Sequence, residues 1–321
     1  MAVKVARAHE ATSEPTTPRA PKRARRGTGL RGWYRGGGLS TLLLALPVIL
    51  VFGLFSWWPI IASIPMSIQK NDLVQPASYV GWANFRAVLS DPLLPTAIQN
   101  TVWFTLLAVV IGFPVPILLA TYAAELRRGR GLVSALAYLP GVIPPVVSVL
   151  LWKQFYDPDG SGLFNTVLGW FSIPPQPFLQ NAISAMPSIV VQATWAGFGS
   201  TTIIYLAALM SIRSDLYDAA ELDGGGIVQR AWHVTLPQIR HIILLMLLLQ
   251  IIGTLQVFTE PYLMTGGGPA NATVTVLMLV YDYAFVYGNY GQATALSLLL
   301  AIALGVVSIV YYRVTRRWSS S

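Results

Sequence analysis

Uncharged apolar stretches recur along this chain at the length a lipid bilayer demands. A hydrocarbon core about 30 Å thick takes roughly 20 residues of helix to cross. The first stretch lies between Arg35 and Lys70, with its apolar centre at 39–64. The second, between Asp91 and Glu125, centres on 97–122, and the third runs over 131–152. The fourth uncharged stretch, 160–212, is too long for one span. Its Ile173-Pro-Pro-Gln-Pro segment reads as loop, which leaves a helix over 183–209. A fifth span runs from Ile242 to about Phe258, and a sixth lies between Asp282 and Arg313, centred on 293–310. The pattern predicts an all-α membrane protein with six transmembrane helices.

Charge gives these spans a direction. With the N-terminus inside, the inner segments are 1–38, 123–131, 213–241 and 313–321. They hold 18 of the 21 Lys and Arg residues, leaving only Lys70, Arg86 and Lys153 outside. Lys and Arg accumulate on the cytoplasmic side of membrane proteins, so both termini are expected in the cytoplasm. Residues 1–38 carry nine of these bases, several Pro and Gly, and little apolar periodicity. They read as a disordered basic arm that sets topology and meets lipid headgroups, a role that leaves no need for nucleic acid. The apolar run after the arm is too long for a signal-peptide core and has no small-residue cleavage site. A six-helix domain is expected over 39–315, with a short cytoplasmic tail at 316–321.

Composition narrows the function classes. Of 321 residues, 54% are hydrophobic and 11% are charged, against about 25% charged in ordinary soluble domains. The net charge is +8. There is no cysteine, so disulfides, thiolate metal sites and a cysteine nucleophile are excluded. Three histidines (His9, His233, His241) leave little for metal or acid–base chemistry.

The inner segment 213–241 differs from the other connections. Four of the chain's 13 acids (Asp215, Asp218, Glu221, Asp223) fall within nine residues of it. It reads as two short helices joined by Gly224, Gly225 and Gly226, the first capped by Ser214 or Asp215 and the second, 227–236, stopping at Pro237. Such a hairpin either presents a rigid surface to a soluble partner or merely connects two spans.

At this loop the sequence resembles a family. Asp218-Ala219-Ala220, three residues, Gly224, nine residues and Val234-Thr-Leu236-Pro237 keep the spacing of the "EAA" loop found in permease subunits of binding-protein-dependent ABC importers. Asp218 replaces the usual Glu, and His241 stands where a further Pro is common. A second region narrows the resemblance to carbohydrate permeases of the maltose and glycerol-phosphate type. It comprises Thr265-Gly-Gly-Gly-Pro269, Tyr281-Asp-Tyr-Ala-Phe285 and Gly291-Gln-Ala-Thr-Ala295, with Gly81-Trp-Ala-Asn-Phe85 earlier in the chain. The resemblance covers roughly 40–315. It implies the type I importer permease fold and a coupling helix seated in a cleft of the ATPase. The implied coupling residues are Asp218, Ala219, Ala220, Glu221, Asp223, Gly224, Leu236 and Pro237. It also implies a second permease subunit, two ATPase subunits that bind ATP and Mg, and an external solute-binding protein. This chain would then hold no cofactor and sit in a prokaryotic cell membrane.

A sugar path needs polar or small residues on the side of a span that faces the bundle. On the fifth span, Gln250, Gly253, Thr254 and Val257 share one helical face, and on the fourth Ala193, Ala196, Gly197 and Ser200 do so. Gln192, Thr194 and Trp195 lie beside the second face, where Trp195 offers a ring for a sugar to stack on. Counted from the family motifs, both faces fall where maltose-type permeases hold sugar. Small residues equally serve helix packing. Glu260, near the outer end of the fifth span, reads either as a functional acid or as an interfacial one.

Three functions compete. A P-loop needs Gly-Lys followed by Ser or Thr, and Lys4, Lys22, Lys70 and Lys153 precede Val, Arg, Asn and Gln. An ATP-driven carbohydrate permease must therefore borrow its ATPase. An ATP-independent secondary transporter or channel usually carries charges inside its spans, and here the span centres have none. A membrane enzyme lacks a carboxylate pair, His cluster or Ser-His arrangement to work with.

Overall fold

The structure, a computed structural model, describes residues 38–126 and 128–319. The basic arm expected over 1–38 lies outside the described residues, save that Gly38 begins the first helix. In chain order the helices are α1 (Leu39–Ser67), α2 (Ala83–Leu89), α3 (Leu94–Glu125), α4 (Arg130–Val142), α5 (Pro145–Phe155) and α6 (Leu163–Trp170). They continue as α7 (Ala182–Met210), α8 (Ser214–Leu222), α9 (Val228–Thr254), α10 (Thr259–Thr265), α11 (Val276–Val286) and α12 (Tyr290–Ser319). Between α1 and α2, β1 (Gln69–Lys70) pairs antiparallel with β2 (Ser78–Tyr79). The chain divides into two compact units, up to Pro59 and from Ile60 onward. Within the first unit α1 exposes apolar side chains all round, including Leu44, Val48, Phe52 and Phe55, the pattern of a helix made for lipid or for other subunits.

Five helices are long and apolar enough to cross a membrane: α1, α3, α7, α9 and α12. The third expected span is different. Instead of one helix over 131–152, α4 and α5 meet at a bend of 95°. Ile143 and Pro144 are extended there, because a residue before proline is pushed out of the helical region and this break carries Pro144 and Pro145 in succession. A sixth crossing exists only if this broken pair is one span. The fifth span is also displaced: α9 begins at Val228 and ends at Thr254 rather than near Phe258. The last helix runs through Ser319, into the expected tail.

Among the described residues four helices contain a wide π turn, and in three of them, α1, α3 and α9, the turn ends just before a proline. Trp58 N–H donates to Gly53, Phe113 N–H to Ala108 and Leu236 N–H to Ala231, ahead of Pro59, Pro114 and Pro237. Proline removes an N–H and its ring crowds the carbonyl four residues back. One extra residue in the turn relieves the crowding and lets the helix go on. This is why α9 passes through Pro237 instead of stopping there as the sequence predicts.

Three apolar clusters hold the second unit together. At one end Val88, Leu94, Val276, Leu279, Tyr283 and Leu296 join α2, α3, α11 and α12. In the middle Phe104, Val149, Trp152, Ile189 and Val257 join α3, α5 and α7. Toward the α8 end Ala120, Tyr205, Leu206 and Ile239 join α3, α7 and α9. The Gly81–Phe85 and Gly291–Ala295 segments meet at the first end. Buried Asn84 donates from Nδ2 to the carbonyls of Ser67 and Gln69, both at 2.9 Å. A Cβ on Gly291 would stand 2.2 Å from the Gln69 carbonyl oxygen, so only glycine lets α12 start against this strand.

Candidate functional site

The loop between α7 and α9 is a helical hairpin with a built corner. Gly224 takes φ +78°, Gly225 N–H donates to the Ala220 carbonyl at 2.8 Å and Gly224 N–H to Glu221 at 3.0 Å. This pair of bonds is a Schellman stop, and a Cβ on Gly225 would lie 2.7 Å from the Ala220 carbonyl oxygen. The cap at the other end differs from expectation. Arg213 occupies the N-cap of α8 and makes no side-chain capping bond; Ser214 and Asp215 lie inside the helix, and Asp215 pairs with the Arg213 guanidinium. Asp215 still places a negative charge at the positive end of the helix dipole.

Two tethers hold the hairpin closed. Arg230 Nη1 donates to Glu221 Oε2 at 3.3 Å, and the Tyr217 and Thr235 hydroxyls are 3.2 Å apart. Asp218, Ala219, Glu221, Asp223, Gly224 and Pro237 are exposed, while Ala220 and Leu236 are half-buried. Among the described residues Asp218 has no bonded partner within the chain. Leu222 is 89% exposed, Val228 70% and Trp232 67%. Side chains this apolar in a solvent-facing hairpin give a partner something to bury. The sequence reading had not singled them out.

A cavity of about 640 Å³ opens between α3, α7, α9 and α10, within the range of small-molecule sites. Ala193 and Gly197 of α7 line it, as do Gln250, Gly253 and Thr254 of α9. Val257 also lines it, though from the link beyond the end of α9 rather than from the helical face expected of it. Gln250 Nε2 donates to the Ala108 carbonyl of α3 at 2.7 Å, and the Thr254 hydroxyl to the Gln250 carbonyl at 2.8 Å. The α3 wall is close because of Gly112, where a Cβ would sit 2.8 Å from Thr194 Oγ1. The π turn Ala108–Gly112 therefore shapes this wall.

Two expected residues fall elsewhere. The Trp195 ring packs against Trp152, with centroids 5.4 Å apart, inside the middle cluster. Ser200 is exposed away from the cavity and bonds the Gly197 carbonyl at 3.2 Å. The small residues of α7 divide their work. Ala193 and Gly197 line the cavity, while Gly199 packs against α4, where a Cβ would stand 2.1 Å from the Ala137 carbonyl oxygen. Gln192 is buried and ties α7 to α5 through Ser148 at 3.0 Å.

Thr194, expected beside the α7 face, lines the cavity too, and Gly112, Gln256 and Phe258 also line it and were missed by periodicity. The signal for Gly112 was its place among Pro114 and Pro116 in the middle of an apolar span. Glu260 of α10 lines the cavity, where burial pushes its carboxyl above the usual range. Among the described residues no group of three or more His, Asp or Glu is placed to hold a metal ion.

The Gly-Gly-Pro turn is built rather than casual. Thr273 N–H donates to Gly267 at 3.1 Å and its hydroxyl to Gly268 at 2.9 Å. Asn100 of α3 donates to Asn271 and Val274 at 2.7 and 3.0 Å. This fastens the Gly-Gly-Pro segment onto the N-terminal half of a cavity-lining helix.

A family model described as binding-protein-dependent transport system inner membrane component matches residues 112–320, which span both the hairpin and most of the cavity wall. The trehalose/maltose transport system permease protein MalF of Thermococcus litoralis is 31% identical over 284 residues, 88% of this chain and 95% of that protein. The arabinooligosaccharides transport system permease protein AraP of Bacillus subtilis is 28% identical, covering 88% of this chain and 90% of that one. Among solved structures, a chain of a bacterial alginate ABC transporter in complex with alginate pentasaccharide-bound periplasmic protein matches with TM-score 0.79 at 27% identity, covering 91% and 98% of the two chains. The chain thus belongs to the binding-protein-dependent transport system inner membrane components, and is a permease subunit of that family.

Proposed function

We infer that this chain is one transmembrane half of an ATP-driven carbohydrate importer, with its hairpin inside the cell and both termini cytoplasmic. The observation that carries this reading is the continuity of α9. One helix runs from Val228 in the hairpin to Thr254 on the cavity wall, about 40 Å at 1.5 Å per residue. A rigid rod of this kind converts motion of a docked ATPase into motion of the cavity wall. Asp218 and the exposed apolar side chains of the hairpin are the groups such an ATPase would grip. The broken pair α4–α5 serves as the sixth crossing in this reading.

The chain would work with a second permease subunit, two ATPase subunits carrying ATP and Mg, and an external solute-binding protein. It would itself hold neither nucleotide nor metal, and would sit in a prokaryotic inner membrane. Carbohydrate is the cargo favoured by the named relatives and by a cavity that mixes aromatic rings with amide, hydroxyl and carboxyl groups. Loaded binding protein shifts the complex between inward- and outward-open states, which is alternating access by population shift.

The test is ATP hydrolysis by the complete complex in proteoliposomes. Stimulation by sugar-loaded binding protein is expected, together with uptake that depends on ATP. Uptake by this chain alone, without ATP, would instead establish the secondary-transporter reading.

A further inference from the structure

The cavity does not end at a plain rim. Phe258 lines it, and from there aromatic rings continue outward across α10 and α11. Phe258 stacks on Tyr262 at 4.9 Å with the planes 20° apart. Tyr281 stands 5.1 Å from Phe258 and 5.0 Å from Tyr262. Phe285 follows at 5.1 Å from Tyr281, and its ring is 67% exposed. Hydrophobic packing alone would bury these rings, yet Tyr262 and Phe285 both stay exposed. Two carboxyls flank the row: Glu260, which also lines the cavity, and Asp282, next to Tyr281 in the chain, whose charge adds to the rise that the Tyr281 hydrogen bond gives the Tyr262 phenol. No Lys, Arg or His is among the residues lining the cavity.

We propose that Phe258, Tyr262, Tyr281 and Phe285 form an entry platform, a second carbohydrate subsite outside the central cavity, selective for uncharged sugars. A pyranose ring presents a face of C–H bonds, which pack on the electron-rich face of an aromatic ring. Its hydroxyls are donors, and the nearest charged acceptors are the carboxylates of Glu260 and Asp282. An anionic sugar meets the same two carboxylates, which outnumber the ammonium of Lys153, held 3.2 Å from the Leu263 carbonyl on α10, so the platform disfavours it. The row begins on the cavity wall, so a sugar released at the outer end passes along it into the cavity. The proposal rests on the carbohydrate-importer reading and adds to it a site and a charge class.

The test is saturation-transfer NMR on the complete transporter in nanodiscs, without binding protein. The probes are maltose, which is neutral, and trigalacturonate, which is anionic. Maltose should receive saturation and trigalacturonate should not. Tyr262→Ala and Phe285→Ala should each lower the maltose signal about fivefold, and Tyr262→Phe, which keeps the ring, should retain it. Signals unchanged in both alanine variants would overturn the platform. Equal saturation of trigalacturonate would overturn its charge selectivity. If the exposed rings are instead an aromatic belt at the lipid interface, the alanine variants will lose melting temperature while maltose saturation stays at the wild-type level, which also overturns it. ATP hydrolysis stimulated by loaded binding protein, read in the same nanodiscs, separates the two readings. A complex that is stimulated but shows no maltose saturation refutes the platform alone.

Discussion

Gln250 reaches from the last turns of α9 to the Ala108 carbonyl of α3, at 2.7 Å. That carbonyl also accepts the π-turn bond from Phe113 N–H at 3.0 Å. One amide thus latches the cavity's two walls at the point where α3 departs from regular helix. Gln250→Leu keeps the bulk and removes the donor. The expected cost is about 1 kcal/mol, or a fall of about 2–4 °C in melting midpoint for a chain of this size. Stimulated ATP hydrolysis should fall by more than the stability loss explains, because the latch connects a moving helix to the cavity. A variant with a lowered midpoint and wild-type coupling would show that the bond is only structural.

The small residues of α7 separate packing from path. A Cβ on Gly199 meets backbone at 2.1 Å, whereas one on Gly197 meets nothing within 4 Å. Gly199→Ala must push α4 away from α7, at about 1–3 kcal/mol. Gly197→Ala should leave the melting midpoint unchanged within about 0.5 kcal/mol, yet slow transport by adding a methyl group to the cavity. Thermal unfolding and uptake measured on both variants decide the matter. Equal behaviour of the two would mean that the cavity assignment of α7 is wrong.

How far the sequence revealed this arrangement depended on whether the signal was local. The five long apolar helices and the hairpin position followed from uncharged length and charge clusters, which are properties of consecutive residues. Pro59, Pro114 and Pro237 were equally visible, but their effect was not. A proline in a helix can stop it, kink it or be absorbed by a π turn, and tertiary packing selects among these. So Pro237 read as a stop although α9 runs through it, whereas Pro144 and Pro145 did break the third span. Trp195 shows the other limit. Its helical position was right beside the cavity face, but Trp152 on α5 offered a ring to pack on, and no periodicity foretells that partner.

In the hairpin, stability and coupling should come apart. Asp218 is exposed and has no bonded partner among the described residues, so Asp218→Lys should leave the melting midpoint of the chain alone. It should instead reduce co-purification of the ATPase and abolish stimulated hydrolysis. Gly224→Val acts on the corner itself, since φ +78° costs an L-residue roughly 1–2 kcal/mol. It should lower both stability and coupling. Normal ATP-driven uptake in the Asp218→Lys complex would refute the docking role of this face.

Glu260 gives a pH dependence with a definite sign. Burial raises its carboxyl above the ordinary value of 4.5, so the folded chain holds this proton more tightly than the unfolded chain does. Below the ordinary carboxyl range both states are protonated and the group has no effect on stability. As pH rises from there through the folded value, the unfolded state releases its proton first, and stability falls. Above that window the penalty of a buried carboxylate is fully present. Glu260→Gln removes it. The variant should therefore melt higher than wild type near neutral pH, and the gap should close on acidification toward about pH 4. Melting midpoints of the two proteins, compared at steps between these limits, give the answer. A gap of constant size would place the effect in packing, and a wild type that gains stability as pH rises would mean that a cation, not apolar burial, governs this carboxyl.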